Sequence, residues 1–168
     1  MSNHVVKVIE SNFINHDVKR FVVEKPDGFE FIPGQAVNIS INEPEWKNEL
    51  RPFTFTNEKE TKNLEFIVKI YNQHKGVTNK LASVNSGDEL ILHDIFGAIH
   101  FEKPGIFIAA GTGITPFLAI FRDLYKKNKL RGNKLIFLNK TSLACLINLS
   151  NDIGLVKYTE FICLYPPE

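Results

Sequence analysis

A change of pattern near Pro104 constrains this chain more than any other feature. Before it, short runs rich in Val, Ile and Phe are cut by Pro26–Gly28, Pro33–Gly34 and Pro44, the punctuation of β-structure. The runs fall at residues 4–11, 17–24, 35–41, 51–57, 64–71 and 88–93. In the fifth, Leu64, Phe66, Val68 and Ile70 alternate with Glu65, Ile67, Lys69 and Tyr71, a largely period-two pattern that predicts a half-buried strand. Gly76–Val84 reads as a short helix. Some six strands in a hundred residues predict a small antiparallel barrel.

After Pro104 the period changes. Gly105–Ala110 is a compact apolar strand that runs into Gly111, Thr112 and Gly113. Ile114–Lys127 then carries apolar residues at Phe117, Leu118, Ile120, Phe121, Leu124 and Tyr125, a stripe with helical spacing. A turn at Leu130–Gly132 leads to a strand at Lys134–Leu138. Strand, glycine turn, helix and strand make the βαβ unit of a parallel sheet. Ser142–Glu168 is apolar without a clear period, so only two parallel strands are readable.

Composition narrows the function classes. With 43% hydrophobic and 23% charged residues, the chain reads as a globular protein, and its 14 Phe supply large rings for a small core. Residues 1–100 carry 11 Lys and Arg against 14 Asp and Glu, and residues 101–168 carry 9 against 5. That mild basic surplus fits an anionic ligand or an ordinary solvated surface, and no dense basic tract calls for nucleic acid. Cys145 and Cys163 form no CxxC, and two cysteines cannot hold an iron–sulfur centre that needs four. His4, His16, His74, His93 and His100 are scattered, and no metal site is expected. The first residues lack a secretion signal, and no run of about 18 apolar residues predicts a membrane span. A cytoplasmic location is the default expectation.

The turn Gly111-Thr112-Gly113-Ile114-Thr115-Pro116 suits a ligand. Its glycines let backbone approach closely, and amides at a helix start receive anions. Thr115 is the expected N-cap, with Pro116 in the first helical position. The segment is not GxGxxG, because Pro116 replaces the third glycine, and it is not a Walker loop. Taken alone, it also reads as a tight turn with no ligand.

Three patterns together resemble the ferredoxin–NADP reductase superfamily, and within it the short bacterial flavodoxin or ferredoxin reductases. They are Arg51-Pro52-Phe53-Thr54, then Gly76-Val77-Thr78-Asn79-Lys80-Leu81, then the turn just described. They stand in the family's order, and Phe96-Gly97 is similar to its linker into the second domain. The resemblance covers roughly residues 4–141. It implies an all-β flavin-binding antiparallel barrel, six strands in Greek-key order, over residues 1–101. A partial α/β parallel-sheet NAD(P)-binding domain comes next, over residues 102–168.

The resemblance also implies roles. Arg51 would bind the flavin phosphate, for which its planar fork is suited. Phe53 would pack on the isoalloxazine without the hydroxyl of the family's Tyr, and Thr54 would take the place of the Ser near flavin N5. Val68, Lys69 and Ile70 would run beside the ring edge, mainly through backbone groups, with Tyr71 nearby. Gly76, Val77 and Thr78 would form the phosphate loop. Gly111, Thr112, Gly113, Thr115 and Pro116 would support the nicotinamide nucleotide; a polar group of Asn139-Lys140-Thr141 also suits the adenosine ribose, with surface solvation the favoured reading of Lys140. Singly, Arg51 also reads as a surface ion-pair residue, Phe53 as core and Thr78 as a cap.

The implied activity is hydride transfer from NAD(P)H to bound FAD, with FMN the alternative flavin. Electrons would then pass to flavodoxin or ferredoxin. The family's Cys-Gly-Pro-Pro ending, beside the nicotinamide, is loosely matched by Cys163-Leu164-Tyr165-Pro166-Pro167, which makes Cys163 a catalytic candidate. Cys163 stands only 52 positions after Gly111, so a βα unit is expected to be missing. Two readings stay open: a naturally short tail, or an altered version of a longer reductase after Thr141. A flavin-binding chain with impaired turnover, or one that needs a partner chain, is the alternative function. An incomplete sheet would expose an edge that a homo-oligomer could hide.

Overall fold

The computed structural model describes residues 3–73 and 75–138, together with the backbone of residues 160–164. His74, Asn139, Lys140, Thr141, Cys145 and the side chain of Cys163 lie outside the described residues. Six strands precede the change of pattern: β1 (His4–Phe13), β2 (Val18–Glu24), β3 (Ala36–Ile41), β4 (Arg51–Thr54), β5 (Asn63–Lys69) and β6 (Glu89–Phe96). They form one antiparallel sheet in the order β4-β3-β6-β1-β2-β5. A bridge between Phe55 and Phe66 joins the end of β4 to β5 and closes the sheet into a near-barrel. Around the closure β5, β4 and β3 are neighbours and β6 returns beside β3, the Greek-key arrangement.

The Phe residues fill this barrel. Phe31 and Phe55 stack at 4.1 Å between ring centroids, and Phe29 meets Phe55 edge-on at 6.0 Å. Phe21, Phe66, Leu64, Ile39 and Leu92 complete a continuous core around them. The helix expected over 76–84 is a four-residue turn, α1 (Val77–Lys80), continued by a 3-10 turn at Leu81–Ser83. It is anchored by burial of Val77, Leu81 and Val84 in the barrel core.

The second part of the chain holds β7 (Ile106–Ala110), a 3-10 turn at Gly111–Ile114, α2 (Thr115–Lys126), β8 (Lys134–Leu138) and β9 (Glu160–Leu164). The three strands are parallel, in the order β7-β8-β9. β9 is the third strand that the aperiodic tail concealed. Leu118, Phe121 and Leu124 of α2 pack with Ala109, Leu135 and Phe137. α2 ends in a Schellman motif: Asn128 has φ +56°, its amide donates to Tyr125 O at 3.0 Å, and the Lys129 amide donates to Leu124 O at 2.8 Å. Ile106 and Ile108, on the face of β7 away from α2, remain 66% and 64% exposed. No helix among the described residues is long and apolar enough to cross a membrane.

Period two in β5 is real, but its second face is not solvated. Leu64, Phe66 and Val68 enter the barrel core, while Glu65 and Ile67 are also buried. Ile67 belongs to the second core, formed with α2. The outer face of β5 is therefore the seat on which the barrel carries α2.

Candidate functional site

The seating of α2 on β5 opens a cleft of about 440 Å³ between the two parts, within the range of small-molecule sites. Arg51, Pro52, Phe53 and Thr54 of β4 line it, with Val68, Lys69, Tyr71 and Thr78 from the β5–α1 side. Thr112, Gly113, Thr115 and Pro116 form its opposite wall. The three motifs, far apart in sequence, thus share one cavity. Arg51 and Thr78 both reach it, and the space is not filled by packed side chains.

Ile70 and Val77 do not line it: both side chains are buried in the barrel core. The Ile70 amide is already used, donating to Asp17 O at 2.7 Å. Gly76 and Gly111 lie outside the lining, the first two residues before Thr78 and the second next to Thr112. Two lining residues, Ile67 and Ile99, carried no sequence signal beyond being apolar.

Local chemistry explains the geometry. Pro52 sits in β4, which pairs on one side with β3 and whose opposite neighbour contributes only the Phe55–Phe66 bridge, so the missing N–H costs little. Gly76 is the N-cap of α1, in extended conformation, and no side chain caps that helix. The Thr78 hydroxyl is thereby a cleft group rather than a cap. Gly111 holds φ +50°, and a Cβ built on Gly76, Gly111 or Gly113 would meet nothing within 4 Å. These glycines border open space, as backbone that receives a ligand should.

Thr115 departs from expectation. Ile114 is the N-cap and Pro116 the second helical residue, because the preceding 3-10 turn already places Ile114 in helical conformation. The Thr115 hydroxyl donates to Thr112 O at 2.9 Å, bracing the turn rather than capping the helix.

Two cations border the cleft. Lys69 Nζ is paired with Asp17 at 2.9 Å. Arg51 is 48% exposed, donates to Leu50 O at 2.7 Å and has only a loose 4.0 Å contact with Glu49. Its guanidinium can exchange that weak surface contact for a phosphate. On the barrel side, an apolar wall (Phe53, Ile67 and Val68), the Thr54 and Thr78 hydroxyls and a guanidinium suit a ligand with a flat ring and phosphates. The donor set fits a flavin nucleotide.

β9 pairs Cys163 with Phe137 and Leu164 with Leu138, while Ala110 pairs with Leu138. Cys163 is therefore one register step short of the sheet's carboxyl edge, from which Gly111 departs, two strands or about 10 Å from β7. Ligands of open α/β sheets gather at that edge.

Comparison with known proteins agrees with this geometry. Residues 5–101 match the oxidoreductase FAD-binding domain family. The chain is 28% identical over 145 residues to a flavodoxin/ferredoxin–NADP reductase of Buchnera aphidicola, spanning 79% of this chain and 57% of that protein. It is 27% identical over 135 residues to dual oxidase 2 of Sus scrofa, spanning 74% of this chain and 9% of the oxidase. It thus covers a minor share of the oxidase and little over half of the reductase. Among solved structures, a ferredoxin NADP+ reductase from Neisseria gonorrhoeae with bound FAD and NADP superposes with a TM-score of 0.82 at 16% identity, over 96% of this chain and 67% of that one. A ferredoxin–NADP+ reductase mutant from Plasmodium falciparum gives 0.86 at 16% identity, over 99% and 76%. By its matched residues and its Greek-key near-barrel, the chain belongs to the oxidoreductase FAD-binding domain family.

Proposed function

We propose that this chain binds FAD in the cleft and passes electrons from NAD(P)H toward a flavodoxin or ferredoxin. The observation that carries this reading is the sharing of one cavity by Arg51–Thr54, Thr78 and the Thr112–Pro116 turn. The division of labour falls near residue 101, with the FAD-binding barrel before it and a partial NAD(P)-binding unit after it.

Bound FAD would supply acceptance of two electrons from a reduced nicotinamide and their onward release one at a time. The chain's own groups bind and orient. Arg51 holds a phosphate through its fork, helped by backbone at Gly76 and Val77 and by the Thr78 hydroxyl. Phe53 offers a ring face, and Pro52 and Val68 complete an apolar wall. The Thr54 hydroxyl can donate or accept one hydrogen bond as the ring's protonation changes. Backbone at Lys69 and Ile70, with Tyr71, borders the ring edge. Gly111, Thr112, Gly113, Thr115 and Pro116 receive the nicotinamide nucleotide, and Cys163 stands one register step short of the same sheet edge. Orientation of two bound rings is itself the catalytic contribution of such a protein.

Reconstitution with FAD, then anaerobic addition of NADPH or NADH, tests this. A yellow protein bleached promptly by either nucleotide is the expected result. The bare Ile106–Ile108 face favours a second reading, in which a flavin-loaded barrel needs a partner chain to complete its nucleotide side. Bleaching only with that chain present would support it. A chain that cannot retain FAD or FMN contradicts both readings.

A further inference from the structure

We propose that Glu65, held by Arg122 and Arg20, is a positioning latch that sets the Thr112–Pro116 wall of the cleft against the barrel. The inference rests on the proposed function for its kinetic consequence, but its geometry stands independently.

Arg122 lies seven residues, two helical turns, beyond Thr115, so both fall on one stripe of α2. Lys126 continues that stripe and reaches Glu58 at 3.2 Å. Across the stripe runs β5, which carries Glu65 two residues before Ile67 and four before Lys69, both cleft residues. One strand and one helix stripe therefore contain both the latch and parts of both cleft walls.

The latch is chemically complete. Glu65 Oε1 accepts from Arg122 Nη1 and from Thr56 Oγ1, each at 2.6 Å, and Oε2 accepts from Arg20 Nε at 2.7 Å. Arg122 Nη1 also donates to Thr56 O at 2.5 Å. The Glu65 and Arg122 side chains are 10% and 14% exposed, so water and salt screen them little. Around them Ile67 packs among Leu118, Phe121 and Leu124. Apolar packing of this kind tolerates sliding, whereas this set of donors is satisfied in only one register of helix against strand. The ion pair therefore specifies position where the apolar contact supplies adhesion. The exposed Lys126–Glu58 pair adds little.

The test uses the full chain and the variants Arg122→Met and Arg122→Lys. Met keeps much of the apolar bulk and loses the fork, while Lys restores charge to one acceptor. FAD affinity, the maximal rate and half-saturation of nicotinamide-driven flavin reduction, and hydrogen exchange by peptide are measured for each. With the latch acting as proposed, Arg122→Met reduces the maximal rate by about tenfold or more. FAD affinity stays within about threefold, Arg122→Lys recovers part of the rate, and exchange rises through 111–121 but not in the barrel strands. An unchanged rate beside lowered thermal stability, or FAD affinity falling in parallel with rate, overturns the latch. Should the wild-type chain take up FAD without being reduced by nucleotide, the functional reading fails on its nicotinamide side and exchange decides the latch alone. Faster exchange confined to 111–121 then supports it, and wild-type rates there overturn it.

Discussion

The Lys19 ammonium donates to the Val84 carbonyl at 2.7 Å, beneath the short helix that brings Thr78 to the cleft. It also reaches Ala82 O at 2.9 Å and Leu81 O at 3.4 Å, so its three protons meet three carbonyls at the end of that segment. Burial lowers its pKa from the ordinary lysine value, against the opposing charge of Asp88. Lys19→Met deprives Ala82 O of this donor, while Val84 O keeps the Ser11 hydroxyl and Leu81 O the Val84 amide, and should cost about 1–3 kcal/mol, read from urea unfolding. A loss below about 1 kcal/mol would mean the clamp is replaceable by water.

Arg51 should separate binding from stability. Its side chain is 48% exposed and makes no buried ion pair, so Arg51→Ala should leave the unfolding midpoint unchanged. FAD affinity should fall about 10- to 100-fold, as expected for a lost charge-assisted phosphate contact. Arg51→Lys should recover only part, because an ammonium lacks the fork. Equilibrium titration with FAD, read by flavin fluorescence, measures both.

Gly34 is required by a close approach. It holds φ +104°, and a Cβ there would stand 2.3 Å from the Ile99 carbonyl oxygen and 3.3 Å from Ile120 Cδ1. Ile99 lines the cleft and Ile120 belongs to α2, so the clash falls at the junction of the two parts. Gly34→Ala should destabilise by about 2–4 kcal/mol in a thermal or urea melt. Gly28, at φ +73° with open space around it, should suffer less from the same change.

Acid should loosen the same junction. Burial pushes the Glu65 carboxyl up, but the Arg122 charge and hydrogen bonds from Thr56, Arg122 and Arg20 together hold it below its ordinary 4.5. The folded state therefore binds this proton later than the unfolded chain does. Its stabilisation is complete above about pH 4.5 and is lost as pH falls through the depressed folded value. Urea midpoints should fall on acidification below that point. Glu65→Gln should be less stable near neutrality and should show a shallower acid decline.

Much of this architecture is legible in the sequence, for physical reasons. Pro and Gly punctuate the barrel strands, so β1, β2, β3 and β5 fall near their expected ranges. The strand–Gly111–helix unit is local, and its boundaries miss by a residue only because a 3-10 turn precedes Thr115. β9 is not legible, since a strand without alternating polarity resembles any apolar run. Nor is the second burial of β5. Ile67 and Glu65 look solvent-facing until α2 lands on them, and Glu65 and Arg122 are 57 residues apart. Of the cleft, the motifs mark most of the walls. Ile67 and Ile99 escape notice because an apolar side chain carries no mark of what it faces.

The central claim is that one cleft, with Arg51–Thr54 and Thr78 on its barrel wall and Thr112–Pro116 on the wall opposite, receives a flavin nucleotide against the barrel wall. Titration of the apo chain with FAD tests it most directly, with riboflavin, which lacks the phosphates, as the comparison. The predicted result is saturation at one FAD per chain, much weaker riboflavin binding, and a narrowing of that gap in Arg51→Ala. Equal affinity for the two flavins, or FAD binding indifferent to Arg51, would contradict it.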